Sequence, residues 1–245
     1  GTSWDQLSIA QLIANLTKLN ITTIVAGTGD QQAITLFDSS PRFARYWEIP
    51  ASSPNARTGR WVPGPGKAMF DAVSAALGEL PIVAEDLGFI TQDVHDLRNE
   101  LGFPGMKVLQ FAFGDDGEHE YLPHNYARDA VVYSGTHDND TARGWWDQAR
   151  ESERRYTGTY LACGQHDVHW GMIRAAMNSV ANIAIFPLQD VLGLPTEHRM
   201  NTPGTLGGNN WTWRFAWPMV GEEPGRVLGL LAAASGRGRF ELAYG

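Results

Sequence analysis

The sequence predicts an α/β fold of the class in which parallel strands close into a barrel. Short apolar runs alternate with segments of helical periodicity, which is the pattern of strands joined by crossover helices. The clearest apolar runs end in polar residues, as strands do where they carry the active face of a barrel. A length of 245 residues also suits one such domain. We therefore expect a TIM-type (β/α) barrel.

The first well-defined elements lie between residues 66 and 102. Residues 66–77 predict a helix whose buried face carries Met69, Phe70, Val73 and Leu77. A buried strand is predicted at 82–84, and Glu85 follows it directly. The next helix is predicted to begin after an N-cap threonine at 91 and to end at the glycine at 102.

The later elements continue the same order. Strands are predicted at 106–113, 130–133 and 183–186, and helices at 170–180 and 226–234. The strand at 130–133 leads into the polar run Gly-Thr-His-Asp at 135–138. At the N-terminus, residues 9–19 suggest an amphipathic helix, and 21–26 and 33–37 suggest two strands. Their connection is too short for a crossover helix, so a hairpin is expected. Six strands are recognisable where a closed barrel needs eight, which leaves open whether the barrel closes.

The composition excludes several function classes. A formal net charge of −8 argues against binding to a nucleic-acid backbone. The short apolar runs and the absence of a secretory-signal pattern predict no membrane association. Cys163 is the single cysteine, which favours a reducing, cytoplasmic location over a disulfide framework. The histidines at 119, 166 and 169 have spacings that could suggest metal ligands, but ordinary surface or core histidines are the expected interpretation. The oligomeric state stays open.

A series of motifs makes the prediction specific. In chain order they are FARYWEIP (43–50), GRWVP (59–63), AEDLGFIT (84–91), GFPGMKVLQFAF (102–113), YLPHN (121–125), THDNDT (136–141), PLQD (187–190), RMNTPG (199–204) and NWTWR (210–214). Together they resemble the amylomaltases, the 4-α-glucanotransferases of glycoside hydrolase family 77. The resemblance divides the chain into a divergent segment, 1–42, and the C-terminal part of a catalytic barrel, 43–245. It implies transfer of α-1,4-glucan segments between maltooligosaccharides without a metal or an organic cofactor.

The resemblance assigns chemical roles to Glu85 and Asp138. Retaining cleavage of a glycosidic bond needs one carboxylic acid to protonate the leaving oxygen and a second carboxylate to attack the sugar. In the family the glutamate matching Glu85 is the acid/base, and burial at a strand end would raise its pKa and keep it protonated. The aspartate matching Asp138 stabilises the oxocarbenium-like transition state. From the residues alone, Glu85 could equally cap the following turn, and a His-Asp pair is more often solvated loop.

Asp38 is the candidate nucleophile. It stands five residues before Phe43, where the resemblance places the nucleophilic aspartate, and it follows an apolar run. Leu36 replaces an arginine that the family has two residues earlier, and residues 39–42 also depart from the family pattern. The run Asp-Ser-Ser-Pro is equally consistent with a simple turn.

The substrate-binding residues implied by the resemblance are His137, Asn139, Trp47 and Asn210. Two other functions remain open. A chain without a working nucleophile would bind glucan without transferring it, and a chain with too few strands would need a complementary chain to close the barrel.

Overall fold

The computed structural model describes residues 22–24, 34–37, 41–50, 52–53, 56–78, 81–88, 90–114 and 117–238. The predicted helix at 9–19 and the candidate nucleophile Asp38 lie outside these residues. The chain divides into two compact units, residues 1–106 and residues 107–245.

The described residues of the first unit form two small sheets. Strand β1 (Thr22–Ile24) pairs antiparallel with β2 (Ile34–Phe37), as the predicted hairpin requires, and β2 pairs in parallel with β5 (Ile82–Ala84). A short helix, α1 (Pro41–Ala44), leads into an antiparallel pair that the sequence analysis did not predict, β3 (Arg45–Glu48) and β4 (Arg60–Pro63). A 3-10 turn at Ala56–Thr58 precedes β4.

Two helices cover the core of the first unit. They are α2 (Gly66–Leu77) and α3 (Gln92–Leu101), and α3 ends at Gly102 in the left-handed conformation, as predicted. The buried residues of this core are Phe43, Met69, Phe70, Val73 and Ile82. The expectation that Leu77 shares this face is wrong, because its position in the last turn of α2 carries it past the core and leaves it 49% exposed.

A three-stranded sheet in the order β6-β7-β8 follows. Strand β6 (Gly105–Val108) spans the boundary between the units, and β7 (Ala130–Tyr133) pairs in parallel with β8 (Ile183–Ile185). The predicted strand 106–113 is too long, because Leu109–Phe111 turns into a 3-10 helix. That turn lets the buried Gln110 donate a hydrogen bond to the backbone oxygen of Asp140 at 2.7 Å.

The described residues of the second unit also form helices. They are α4 (Ala142–Gln148), α5 (Glu151–Leu161), α6 (Val168–Asn178), α7 (Leu188–Val191), α8 (Trp217–Val220) and α9 (Glu223–Ala234). Further 3-10 turns lie at Pro123–Asn125 and Thr196–His198. The predicted helices 170–180 and 226–234 correspond to α6 and α9. The core contains Leu109, Phe113, Val132, Val168 and Met172, all at most 1% exposed.

The described residues form a mixed α/β fold in which β2 and β5, and β7 and β8, pair in parallel. Their strands lie in separate sheets of three, two and three strands, so a closed eight-stranded barrel is not seen in the described part of the chain. None of the helices in that part is long and apolar enough to cross a membrane.

Candidate active site

Glu85 follows the C-terminal end of β5 directly. The three residues of β5 are buried, and the strand has a parallel partner in β2. Glu85 itself is half-buried. The prediction that this carboxyl group stands at the C-terminal end of a parallel strand is therefore confirmed.

The backbone on both sides of Glu85 is tied to the start of β6. The amide of Ala84 donates to the backbone oxygen of Pro104 at 2.9 Å. The carboxylate of Asp86 accepts a 2.7 Å hydrogen bond from the amide of Met106. Because both neighbours of Glu85 are bonded to this segment, the backbone at Glu85 is held against residues 104–106.

Asp86 is buried and is also paired with Arg98 of α3. Gly105 makes this close packing possible, since a Cβ atom at that position would lie 2.5 Å from a carboxylate oxygen of Asp86. A buried carboxylate is tolerated only when it is paired and hydrogen-bonded, and Asp86 has both kinds of partner. Arg98 and Met106 thus hold the residue next to Glu85.

Asp138 lies in the loop that follows β7, a strand with a parallel partner in β8. Its Oδ1 accepts a 2.6 Å hydrogen bond from Nδ2 of Asn201, and its backbone oxygen accepts a 2.9 Å bond from Nη2 of Arg199. The Nε2 atom of His137 lies 3.5 Å from the same Oδ1. Half of the Asp138 side chain remains exposed, so its carboxylate is oriented by the protein and still accessible to a ligand.

An aromatic surface lies beside this carboxylate. The ring of Trp211 is 5.0 Å from that of His137, centroid to centroid, and the two planes are inclined at 39°. Trp211 has a φ of 63°, a left-handed conformation that is uncommon for a non-glycine residue. Its amide donates to the oxygen of Met200 at 2.8 Å, which ties this turn to the segment that holds Asp138. Exposed, oriented aromatic rings next to a carboxylate are suited to binding a sugar.

Two of the other predicted binding residues, Asn139 and Asn210, are engaged inside their own loops. The side-chain oxygen of Asn139 accepts hydrogen bonds from the amide and the hydroxyl of Thr136, both at 2.9 Å. The side chain of Asn210 accepts from the amide of Thr202 at 3.0 Å and donates to Thr205. Trp47 lies in β3, where its backbone pairs with Trp61. Binding of substrate by these three residues stays a prediction.

A second buried carboxylate lies under the Asp138 loop. Asp190, in α7, accepts hydrogen bonds from the hydroxyl of Ser134 at 2.5 Å and from the amide of Ala142 at 2.7 Å. Burial raises the pKa of Asp190 to about 6, and the nearby charge of Asp140 acts in the same direction. The two donors oppose this rise because they favour the ionised form.

Sequence reasoning did not assign Asn201, Arg199, Asp140 or Asp190 to the site. Asp140 accepts bonds from Thr196 at 2.6 Å and from Gln148 at 2.8 Å, which fixes the end of the Asp138 loop. All four residues stand in motifs quoted above, and this is the signal in the sequence that could have pointed to them. Which of them reaches Asp138 depends on contacts across 61 to 63 positions of sequence.

Comparison with known proteins decides the family. The family model described as 4-alpha-glucanotransferase matches residues 41–219. The chain belongs to the 4-alpha-glucanotransferase family. The match includes both strand-end carboxylates, Glu85 and Asp138, and the supporting residues around them, so the resemblance of the motifs is confirmed.

Individual 4-alpha-glucanotransferases agree with this match. The chain is 52% identical over 174 residues to the chloroplastic/amyloplastic enzyme of Arabidopsis thaliana, covering 71% of this chain and 30% of that protein. It is 45% identical over 220 residues to the enzyme of Thermus thermophilus, covering 84% and 44%. An amylomaltase from Streptococcus agalactiae, solved in complex with acarbose, is structurally similar with a TM-score of 0.78 and 33% identity, covering 83% and 41%. The chain thus spans less than half the length of each of these relatives.

Proposed function

We propose that the chain is the acid/base-bearing part of a retaining 4-α-glucanotransferase, which transfers α-1,4-glucan segments to a glucose or maltodextrin acceptor. The family match over residues 41–219 is the observation that carries the proposal. The location of Glu85 and Asp138 after parallel strands adds support, because such strand ends carry the active groups of α/β barrels. The fold proposed for the whole protein is a TIM-type barrel to which this chain contributes strands.

In the proposed reaction Glu85 gives its proton to the oxygen that bridges two glucose units. A carboxylate then bonds to the anomeric carbon as the bond to the leaving chain breaks, and Asp38 is the proposed nucleophile. Glu85, now ionised, takes the proton of the acceptor 4-hydroxyl, whose oxygen displaces the carboxylate. Neither step needs a metal or an organic cofactor.

Asp138 and His137 are proposed to bind the reacting sugar. The hydrogen bond from Asn201 supports this role, because it holds the Asp138 carboxylate in one orientation before the sugar arrives. A negative charge fixed in this way stabilises positive charge that develops at the anomeric carbon. The ring of Trp211 provides an apolar face for a neighbouring glucose unit.

Glucan binding without transfer is the second candidate function. The observation that favours it is that the chain spans 30% to 44% of the length of the three relatives described above, so groups that exclude water or hold the acceptor can lie elsewhere. The leucine at 36, where the family has an arginine, also weakens the assignment of Asp38. Under this reading the chain binds maltooligosaccharides, or it needs a complementary chain for activity.

Substitution of Glu85 with glutamine tests the proposal. The amide keeps the shape of the side chain but carries no acidic proton, so disproportionation of maltotriose should fall by at least about 100-fold. Binding of maltoheptaose, measured by titration calorimetry, should change little. Glu100→Gln is the matched control, because Glu100 is exposed on α3 in the same unit and should leave transfer unchanged.

Three results distinguish the candidate functions. Transfer by the wild type that survives Glu85→Gln would refute the acid/base assignment. Binding of maltoheptaose by a wild type that transfers nothing would support the binding function instead. A wild type that does neither would be consistent only with a chain that needs a complement.

We propose a cytoplasmic location from the cysteine content, whereas the plant relatives are described as chloroplastic/amyloplastic.

A further inference from the structure

The loop that carries His137 and Asp138 is anchored at both ends by the same side chain. Ser134 precedes the loop at the end of β7, and Ala142 follows it as the first residue of α4. One carboxylate oxygen of Asp190 accepts from the hydroxyl of Ser134 and the other from the amide of Ala142. Asp190 therefore links the exit of the strand to the entry of the helix.

We propose that Asp190 is a positioning residue for glucan transfer, which sets the location of His137 and Asp138 by holding Ser134 and Ala142 together. The inference rests on the proposed function, since it takes Asp138 as a group that acts on the sugar. Asp190 touches neither the sugar nor the reacting atoms in this account.

Internal hydrogen bonds make the loop between these anchors a defined unit. The amide of Asn139 donates to the oxygen of Thr136, whose own amide and hydroxyl donate to the Asn139 side chain. Nearer the helix, the amide of Thr141 donates to the Asp140 carboxylate at 2.7 Å. These contacts fix the conformation of the loop. The two bonds to Asp190 fix the location of the loop relative to β7 and α4.

Fold stability alone is a poor explanation for an aspartate at this position. Asp190 is 1% exposed, and the burial of a charged carboxylate opposes folding. The carboxylate does, however, offer acceptors on two oxygens, and both anchors are donors. A side chain that costs stability and joins two anchors of a catalytic loop is better explained by placement of that loop.

The amide of Ala142 provides a direct probe, because its hydrogen is bonded to Asp190. Hydrogen exchange of this amide and of the loop amides is measured by NMR or mass spectrometry in the full 245-residue chain. In Asp190→Ala, exchange across residues 134–142 should rise at least about tenfold, while the amides of α6 should keep their protection. The kcat for maltotriose disproportionation should fall at least about tenfold, with a smaller change in KM.

Asparagine at this position should largely rescue the alanine variant. Its Oδ1 accepts from the amide of Ala142, and its Nδ2 donates to the hydroxyl of Ser134, which can reverse its role. Asp190→Asn should therefore keep loop protection and most of kcat. Ser134→Ala removes only one anchor and should give an intermediate rise in exchange, which tests the proposal if Asp190→Ala does not fold.

A stability control separates positioning from general destabilisation. Ile173→Ala removes buried volume from α6 and should lower the melting temperature without changing loop exchange or kcat per folded molecule. Unchanged exchange at 134–142 in both Asp190→Ala and Ser134→Ala would overturn the proposal, as would an Ile173→Ala variant that reproduces their effects. A wild type that neither binds nor transfers glucan would overturn the proposed function, and the exchange data would still decide whether Asp190 fixes the loop.

Discussion

Replacing Arg98 with alanine removes the cation that is paired with Asp86, next to Glu85. The Asp86 side chain is 3% exposed and that of Arg98 is 20% exposed. Removal of one partner from a buried ion pair costs about 3–5 kcal/mol, because the other charge stays buried. Asp86 keeps its hydrogen bond from Met106, and water can reach part of the vacated space. We therefore expect a loss of about 2–4 kcal/mol in the free energy of unfolding.

Urea unfolding followed by circular dichroism measures this loss. With a slope of about 2 kcal/mol per molar urea, in the middle of the usual range, the midpoint of the variant should fall by roughly 1–2 M. Arg60→Ala is the matched control in the same unit, because Arg60 and Glu48 form an ion pair whose side chains are 77% and 43% exposed. Exposed pairs contribute at most about 1 kcal/mol, so this control should shift the midpoint only slightly.

A double-mutant cycle with Asp86→Asn tests the cause. Asparagine keeps an oxygen for the Met106 amide but carries no charge, so the added cost of Arg98→Ala should become small in that background. An equal cost of Arg98→Ala with and without the Asp86 charge would refute the reasoning. So would a midpoint shift no larger than that of Arg60→Ala.

Two further predictions concern the second unit. Gly193 and Gly208 have φ values of +60° and +64°, so alanine is strained at both, but at Gly193 its Cβ would also lie 2.7 Å from Nε2 of the buried His169. Gly193→Ala should therefore lower the free energy of unfolding by about 1–3 kcal/mol more than Gly208→Ala, and equal losses would contradict the clash. Because burial raises the pKa of Asp190 from 3.8 to about 6, the folded chain holds this proton more tightly than the unfolded chain. The stability so gained is complete well below pH 3.8 and is lost as the pH rises through about 6, so the wild type should lose about 2–3 kcal/mol relative to Asp190→Asn between pH 4 and 7. Parallel stability curves for these two proteins would rule this out.

Local signals predicted much of the fold. Strand β7 was predicted with its observed bounds, and α3 ends at Gly102 as its sequence indicated, because periodicity and end signals act over a few residues. The predictions failed where a tertiary contact decided the structure. The strand predicted at 106–113 stops at Val108, and the turn that follows brings Gln110 to the oxygen of Asp140.

For the candidate site, too, residues in local motifs could be predicted and contacts between distant residues could not. Glu85, His137 and Asp138 were predicted as site residues because each stands in a continuous motif that resembles the family. Asn201 and Asp190 could not be assigned, because their bonds to the Asp138 loop and its flanking residues join positions 48 to 63 apart in sequence. A single sequence shows which side chains are present, but it does not show which of them pair across such distances.

Glu85 and the Asp138 loop are each supported by a buried aspartate, but the partners of these two aspartates differ in charge. Glu85 is adjacent to Asp86, whose charge is balanced by Arg98, whereas the Asp138 loop is held by Asp190 through a hydroxyl and an amide. Burial raises the pKa of Asp190 to about 6, and the bonds from Ser134 and Ala142 oppose this rise. A protonated Asp190 keeps one oxygen for the Ala142 amide and donates its hydroxyl to Ser134, as an asparagine side chain would, so mild acid should leave the Asp138 loop in place. Hydrogen exchange across residues 134–142, corrected for the intrinsic exchange rate, should therefore show the same protection above and below pH 6, and a loss of loop protection near pH 5 would contradict this account.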